Sequence, residues 1–242
     1  MSLGVLILFK RYTTPGGNIP GLFINMTEQT HLLIAGKTGS GKSVVINGII
    51  YSLLSRFFPG ECNLILVDPK RVELSQYRKT PHCIYYATEP GQPVIALDIA
   101  LHDIETRFQI MQRKGEKRYQ AGETYIIIDE LADLMTTNKN AVVPRLQRIA
   151  QIGRAAGYHI IAGTQCPLTE VIPTKIKVNF DSILGLKTVT KQHSRNILDM
   201  PGCELLPKYG QGYYRTPDGT QKVIIPMIPE NELKRVTDHW KQ

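Results

Sequence analysis

The chain has 242 residues, 42% hydrophobic and 21% charged, with a formal charge of +8 and an isoelectric point near 9.3. This is close to the globular norm and long enough to bury a sizeable core without staples. The longest apolar runs, such as Gly4–Phe9, are far too short for a membrane-spanning helix, there is no signal peptide, and Cys62, Cys83, Cys166 and Cys203 show no C-x-x-C spacing that would suggest zinc or thioredoxin-type chemistry.

The cysteines therefore read as reduced, mostly buried thiols of a cytosolic protein. The basic surplus points toward polyanions, whether nucleic acid, nucleotide or an anionic membrane surface; a soluble enzyme that is simply basic fits it equally.

In chain order, residues 1–30 are expected to be lead-in strands or the edge of an excised piece, because Met1-Ser2-Leu3 has the look of an expression scar. The remaining residues, 31–242, are expected to form the main domain. His31–Ala35 (HLLIA) reads as a buried strand leading through a glycine-rich turn into a helix over Ser43–Phe58. Asn63–Val67 is a second strand, ending at Asp68. Val94–Arg113 has amphipathic helical spacing, and Arg113–Glu123 is a polar turn or loop. Tyr125–Ile128 is a third strand, ending at Asp129; Asn138–Asn140 marks a turn; Val142–Ala156 is helical. His159–Ala162 is a fourth strand, ending near Thr164 and Gln165, and Ser182–Leu186 a fifth. Lys191–Asp199 is helical, Tyr209–Pro229 suggests short hairpin strands, and Glu230–Lys241 a closing helix. The strands are short, β-branched and apolar without alternation, as in parallel sheets covered on both faces. Their alternation with helices predicts an α/β layer fold.

Gly36-Lys37-Thr38-Gly39-Ser40-Gly41-Lys42-Ser43 matches G-x-x-x-x-G-K-[ST] in full, between a strand and a helix. Glycines there let the backbone curl with its N–H groups turned inward on phosphate, and the helix N-terminus adds partial positive charge. Lys42 is placed to reach the β- and γ-phosphates of ATP and Ser43 to ligate Mg²⁺. Asp129, at the end of a buried strand, is the candidate second holder of the Mg²⁺ shell. Glu130 is the candidate base that orients the attacking water. An acidic pair at a helix N-terminus is the plainer alternative. Gln165 could touch both water and γ-phosphate, or be an ordinary strand-end amide.

With these residues in place, the chain resembles the motor domain of the FtsK/SpoIIIE family of DNA translocases from about His31 to Tyr214. The resemblance is carried by HLLIAGKTGSGKS (His31–Ser43), LVDPKRVELSQY (Leu66–Tyr77), Pro81-His82, IETRFQIM (Ile104–Met111), IIIDELADLM (Ile126–Met135), RIAQIGRAAGYHIIAGTQCP (Arg148–Pro167) and SRNILDMPGCELL (Ser194–Leu206). It implies a RecA-like P-loop NTPase with a mostly parallel central sheet flanked by helices. It also implies a ring, expected to be a hexamer, around double-stranded DNA, with ATP at subunit interfaces. The family's trans-acting arginine falls on Arg154, and a second trans-acting basic residue on Lys191. The alternatives are a solvated helix end beside a glycine cap for Arg154 and a surface lysine for Lys191. Where the family usually reads TQ-R-P, Cys166 replaces the arginine. No membrane contact is expected of this segment, which would be cytoplasmic, with a membrane tether in a full-length protein left open.

A translocase grips backbone regardless of sequence. The candidates for DNA contact are Arg113, Lys114, Lys117 and Arg118 in one segment and Lys175 and Lys177 in another, each weighed against a solvated face. The rival readings are a conjugative coupling or secretion ATPase, a small-molecule kinase, and a nucleotide-gated DNA-binding scaffold with little turnover. DPK-x-x-EL and GRAAG favour FtsK/SpoIIIE over the first. Glu130 with Gln165 argues hydrolysis against the second.

Overall fold

The structure is a computed structural model that describes residues 6–11, 21–25, 29–166, 168 and 173–241; Met1-Ser2-Leu3 and Pro167 lie outside them. In chain order the elements are β1 (Leu6–Arg11), β2 (Gly21–Asn25), β3 (His31–Ala35), α1 (Lys42–Leu54), β4 (Cys62–Val67), β5 (Cys83–Ala87), α2 (Gln92–Lys114), β6 (Glu123–Ile128), α3 (Leu131–Thr137), α4 (Lys139–Ala156), β7 (Tyr158–Thr164), α5 (Thr174–Lys177), β8 (Ser182–Gly185), α6 (Lys191–Leu198), β9 (Gln211–Thr216), β10 (Gly219–Ile224) and α7 (Glu230–His239). The described strands form one ten-stranded sheet in the order β2-β1-β10-β9-β8-β3-β7-β6-β4-β5. From β8 to β5 all neighbours are parallel. The other four extend the sheet antiparallel.

The apolar strands lack alternation because each face has its own helical layer. Leu33, Ala35, Ile65, Val67, Ile126, Ile128 and Ile160 join a core with Ala100 and Ile104 of α2 and Leu146 and Ile149 of α4. Their neighbours Leu32, Ile34, Leu64, Leu66, Ile127 and Ile161 point the other way, onto Val45, Ile46, Ile49 and Leu53 of α1. Burying each of the valine, leucine and isoleucine side chains contributes about 1.5–3 kcal/mol. This is the α/β, RecA-like P-loop arrangement expected. Because the central strands are parallel, the ends of β3, β6, β7 and β8 gather at one edge, where open α/β sheets bind ligands.

The boundaries depart from expectation in places. Helix α1 stops at Leu54, four residues before Phe58, just ahead of Pro59-Gly60, neither of which suits a helix. The expected turn at Asn138–Asn140 is a joint at Asn138 (φ −141°) between α3 and α4. Strand β5 was not foreseen: it is an edge strand with mixed exposure, so its sequence carries neither a continuous apolar run nor a clean alternation.

Candidate active site

Strand β3 delivers the chain to the phosphate loop at the centre of the sheet. Gly36 N–H donates to the Thr164 carbonyl (3.1 Å) and Lys37 N–H to that of Lys187 (2.8 Å), so strands on either side of β3 pin the loop's entry. Gly41, which caps α1, has φ 100°, a conformation side chains strain to adopt. Buried Ser40 Oγ has no hydrogen-bond partner among the described residues.

Lys42, only 5% exposed, turns back across the strand ends. Its Nζ donates to the Asp129 backbone carbonyl, lies 3.0 Å from Asp129 Oδ1 and stands 3.6 Å from Glu130 Oε2. The approach depends on Gly163 in β7, where a Cβ would sit 2.5 Å from the Asp129 carbonyl oxygen and 2.8 Å from Lys42 Cδ. Asp129 and Glu130 are both buried. Glu130 caps α3, accepting from Ala132 N–H (3.3 Å), and both its oxygens lie 3.1 Å from Gln165 N–H. Glu130 is thus a helix cap, and its carboxylate also lies 3.6 Å from the Lys42 ammonium at the phosphate loop. Thr38 Oγ1 donates to Gln165 Oε1 at 2.6 Å, so Gln165 joins the phosphate loop to the acidic pair.

A cavity of about 510 Å³ opens beside the loop, lined by Thr38, Lys42 and Ser43 on one side and by Tyr209, Ile225 and Met227 on the other. Tyr209 and Met227 are largely exposed. No motif spacing singles out these last three; the only sequence signal was a tyrosine-rich tail. The donors available to a cation are oxygens, the Ser43 hydroxyl and the Asp129 carboxylate. That set suits Mg²⁺, which commonly takes one or two protein oxygens and completes its shell with phosphates and water. No group of three or more His, Cys, Asp or Glu side chains that could hold a metal ion occurs among the described residues.

In the sequence Asp68 is visible only as the end of a strand and part of a motif. It is fully buried, and its Oδ2 accepts from Leu74 N–H (3.0 Å) and the Tyr86 hydroxyl (3.2 Å), ordering the loop after β4; nearby, Lys70 pairs with Asp133 at 3.6 Å.

The remaining candidates lie elsewhere. Arg154 is exposed on the last turn of α4, before β7, whereas Gln165 follows β7. Seven strand residues at about 3.3 Å each separate them by roughly 20 Å, so Arg154 lies far from the phosphate loop of its own chain. Lys191 is exposed at the start of α6, a helix capped by the Thr190 side chain, which accepts from His193 N–H (3.1 Å). Arg113, Lys114, Lys117 and Lys175 are exposed. The other two basic candidates are engaged: Arg118 with Glu123 Oε1 (2.9 Å), and Lys177 with Asp199 Oδ1 (2.7 Å) and the Asn196 carbonyl (3.0 Å). Those two amount to structural ion pairs rather than open cationic surface. No described helix is long and apolar enough to cross a membrane.

Residues 17–126 match the model of the FtsK/SpoIIIE family. The chain is 36% identical to a DNA translocase FtsK of Rickettsia bellii, over 91% of this chain and 35% of that protein. It is 34% identical to the DNA translocase SpoIIIE of Bacillus subtilis, over 93% of this chain and 32% of that protein. It thus spans about a third of the length of these relatives. Among solved structures, the conjugation coupling protein TcpA of pCW3, determined with ATPγS, superposes with a TM-score of 0.83 at 21% identity, covering 99% of this chain and 71% of that one. At that identity the likeness is one of fold.

Proposed function

The chain belongs to the FtsK/SpoIIIE family, and from that premise we propose that it binds ATP with Mg²⁺, hydrolyses it, and moves double-stranded DNA through a ring of subunits, working on the cytoplasmic side. The observation that carries this reading is how the polar and charged groups are divided. Lys42, Asp129, Glu130 and Gln165 meet at one edge of the sheet, while Arg154 is exposed at the other. A ring in which each subunit's Arg154 faces the next subunit's phosphate loop brings the two together.

The residues divide the work as follows. Loop N–H groups and Lys42 take the phosphates, and for this Lys42 leaves Asp129 and Glu130. Ser43 and Asp129 would hold Mg²⁺, which would supply positive charge to offset that of the phosphates. Glu130, released from Lys42 but still held by Gln165 N–H and Ala132 N–H, faces the attacking water and takes its proton. Gln165, tied to Thr38, feels whether the γ-phosphate is present. The apolar wall of Tyr209, Ile225 and Met227 takes the base. Arg154 from a neighbour stabilises the charge that develops on the transferring phosphoryl group.

The test is ATP turnover with and without long duplex DNA. Stimulation by DNA is expected. Tight nucleotide binding with negligible turnover in both conditions would favour the nucleotide-gated scaffold instead.

A further inference from the structure

At the edge far from the phosphate loop lies a buried cluster that this mechanism does not use. Arg107, in α2, is 5% exposed, and its guanidinium sits between the rings of Tyr119 and Tyr158, 4.5 and 4.7 Å from their centroids. Its Nη1 donates to the carbonyls of Gly122 (3.1 Å) and Ala156 (2.9 Å) and its Nη2 to Thr124 Oγ1 (2.7 Å); Nε stands 2.7 Å from Asp103 Oδ2. That carboxylate also accepts from the Tyr158 hydroxyl (2.7 Å).

Ala156 ends the helix that carries Arg154, and the carbonyls around it are unusually well received. Tyr119 N–H donates to Ala155 (2.9 Å), Arg107 to Ala156, and Thr124 N–H to Gly157 (2.8 Å). The last carbonyls of a helix have no partner within it, and a glycine cap with water commonly serves. Here three consecutive carbonyls, directly after Arg154, are taken by Arg107 and by residues 119–124. Residues 119–123 lie in the connection that follows α2; exposed Arg113 and Lys114 stand on the last turn of α2 and exposed Lys117 in the connection itself. Arg107 binds both sides of the joint, since Gly122 closes that connection and Ala156 ends α4.

We propose that Arg107 is a positioning residue for Arg154: it clamps the last turn of α4 to the basic segment Arg113–Glu123, so that the segment's position and the aim of Arg154 change together. The proposal rests on the reading of Arg154 as a group that acts in trans. A polyanion held by Arg113, Lys114 and Lys117 would thereby set the neighbouring subunit's rate, which gives DNA a route to the ATP site that avoids the phosphate loop. The planar fork of arginine is what allows one side chain to hold two carbonyls while stacked between two rings; lysine cannot do so.

The test is a double-variant cycle on the full chain with Arg107→Lys and Arg154→Ala, reading DNA-stimulated kcat and KM for ATP. Arg107→Lys is expected to lower kcat about tenfold and leave KM within about twofold, and to add less than about twofold to the loss in the Arg154→Ala background, because contacting or coupled residues are not additive. Mixed with Lys42→Ala chains, which keep a correctly held Arg154, Arg107→Lys chains should regain part of their activity. Losses that multiply in the double variant would overturn the proposal, as would a fall in thermal stability alone with kcat unchanged. Should Arg107→Lys fail to fold, Tyr119→Leu is read in the same cycle, since it removes one face of the stack and keeps the guanidinium. A harmless Arg154→Ala would remove the trans reading and the proposal with it. A harmful Arg154→Ala with multiplying losses would remove only the proposal.

Discussion

The central strands are apolar along their length and polar at both ends, yet the two ends treat their polar groups differently. At the phosphate end, Lys42, Asp129 and Glu130 are buried against one another beside an open cavity, and Ser40 Oγ has no hydrogen-bond partner among the described residues. Among the described residues at the far end, most groups pair with one another or the backbone and no cavity lies beside them, although Thr30 Oγ1 and Arg107 Nε make no hydrogen bond. His31 Nδ1 accepts from Ile160 N–H (3.0 Å) while its Nε2 donates to the Ala150 carbonyl (3.1 Å). His159 reaches the Thr30 carbonyl (3.2 Å) and Glu123 (2.8 Å). Buried polar groups with partners hold a fold together. Buried polar groups with room and unmet demand are where a ligand belongs.

The comparison breaks most sharply at Lys42. Lys42→Ala removes the only ammonium buried against Asp129 and Glu130 among the described residues, and ATP hydrolysis should fall below detection; near-normal turnover would refute the phosphate-site assignment. Arg154→Ala should come next. An arginine supplied across an interface is worth about 10³–10⁵ in rate, and doping Arg154→Ala chains into wild type should poison active partners. A strictly linear loss with dose, in rings shown to be mixed, would mean that Arg154 serves no neighbour. Glu130→Gln should bind ATP and turn it over about 10²–10⁴ times more slowly, the usual range for a lost general base. Lost binding with normal turnover per bound ATP would take that role from Glu130.

Legibility also differed between the ends. The phosphate loop could be read because its chemistry resides in the spacing of adjacent residues, and the strands because covering both faces leaves continuous apolar runs. Gln165 and Glu130 were legible as types at strand ends. That the Gln165 N–H would bridge both Glu130 oxygens, or that Gly163 would clear the path for Lys42, depends on how β6 and β7 align, which no local spacing encodes. The far end was almost silent. Arg107 sits on α2, 49 residues from Ala156, and nothing near it announces a helix cap. The pairs Arg118–Glu123 and Lys177–Asp199 likewise turned apparent surface charge into structure. Tyr209 and Met227 come to the cavity from a tail beyond every recognisable nucleotide motif.

The smallest expected effect tests whether the far end is chiefly scaffold. His31 is 2% exposed, and its pKa is lowered to about 3, first by burial and then by the charge of His159; the hydrogen bond to Ala150 opposes these, and Arg154 adds to them. In the unfolded chain the ring titrates near about 6.5. Between those values the unfolded state binds a proton that the folded state refuses, so the His31 contribution is full above about pH 6.5 and is lost as pH falls toward 3. Glu123 adds the same sign in more acidic solution. Burial alone would raise its pKa, but the His159 hydrogen bond and charge, with Arg118, hold it below the ordinary carboxylate value, so its contribution also fades as it is protonated. Linkage puts the His31 share between pH 7 and 5 at about 2 kcal/mol. His31→Leu leaves Ile160 N–H without its acceptor and should lower stability at every pH, so the quantity to read is the slope. Urea midpoints measured from pH 7 to 5 should fall less steeply in the variant than in wild type. Parallel slopes would show that the acid sensitivity of the fold arises elsewhere, and that His31 is held at this edge for its hydrogen bonds and not for its neutrality.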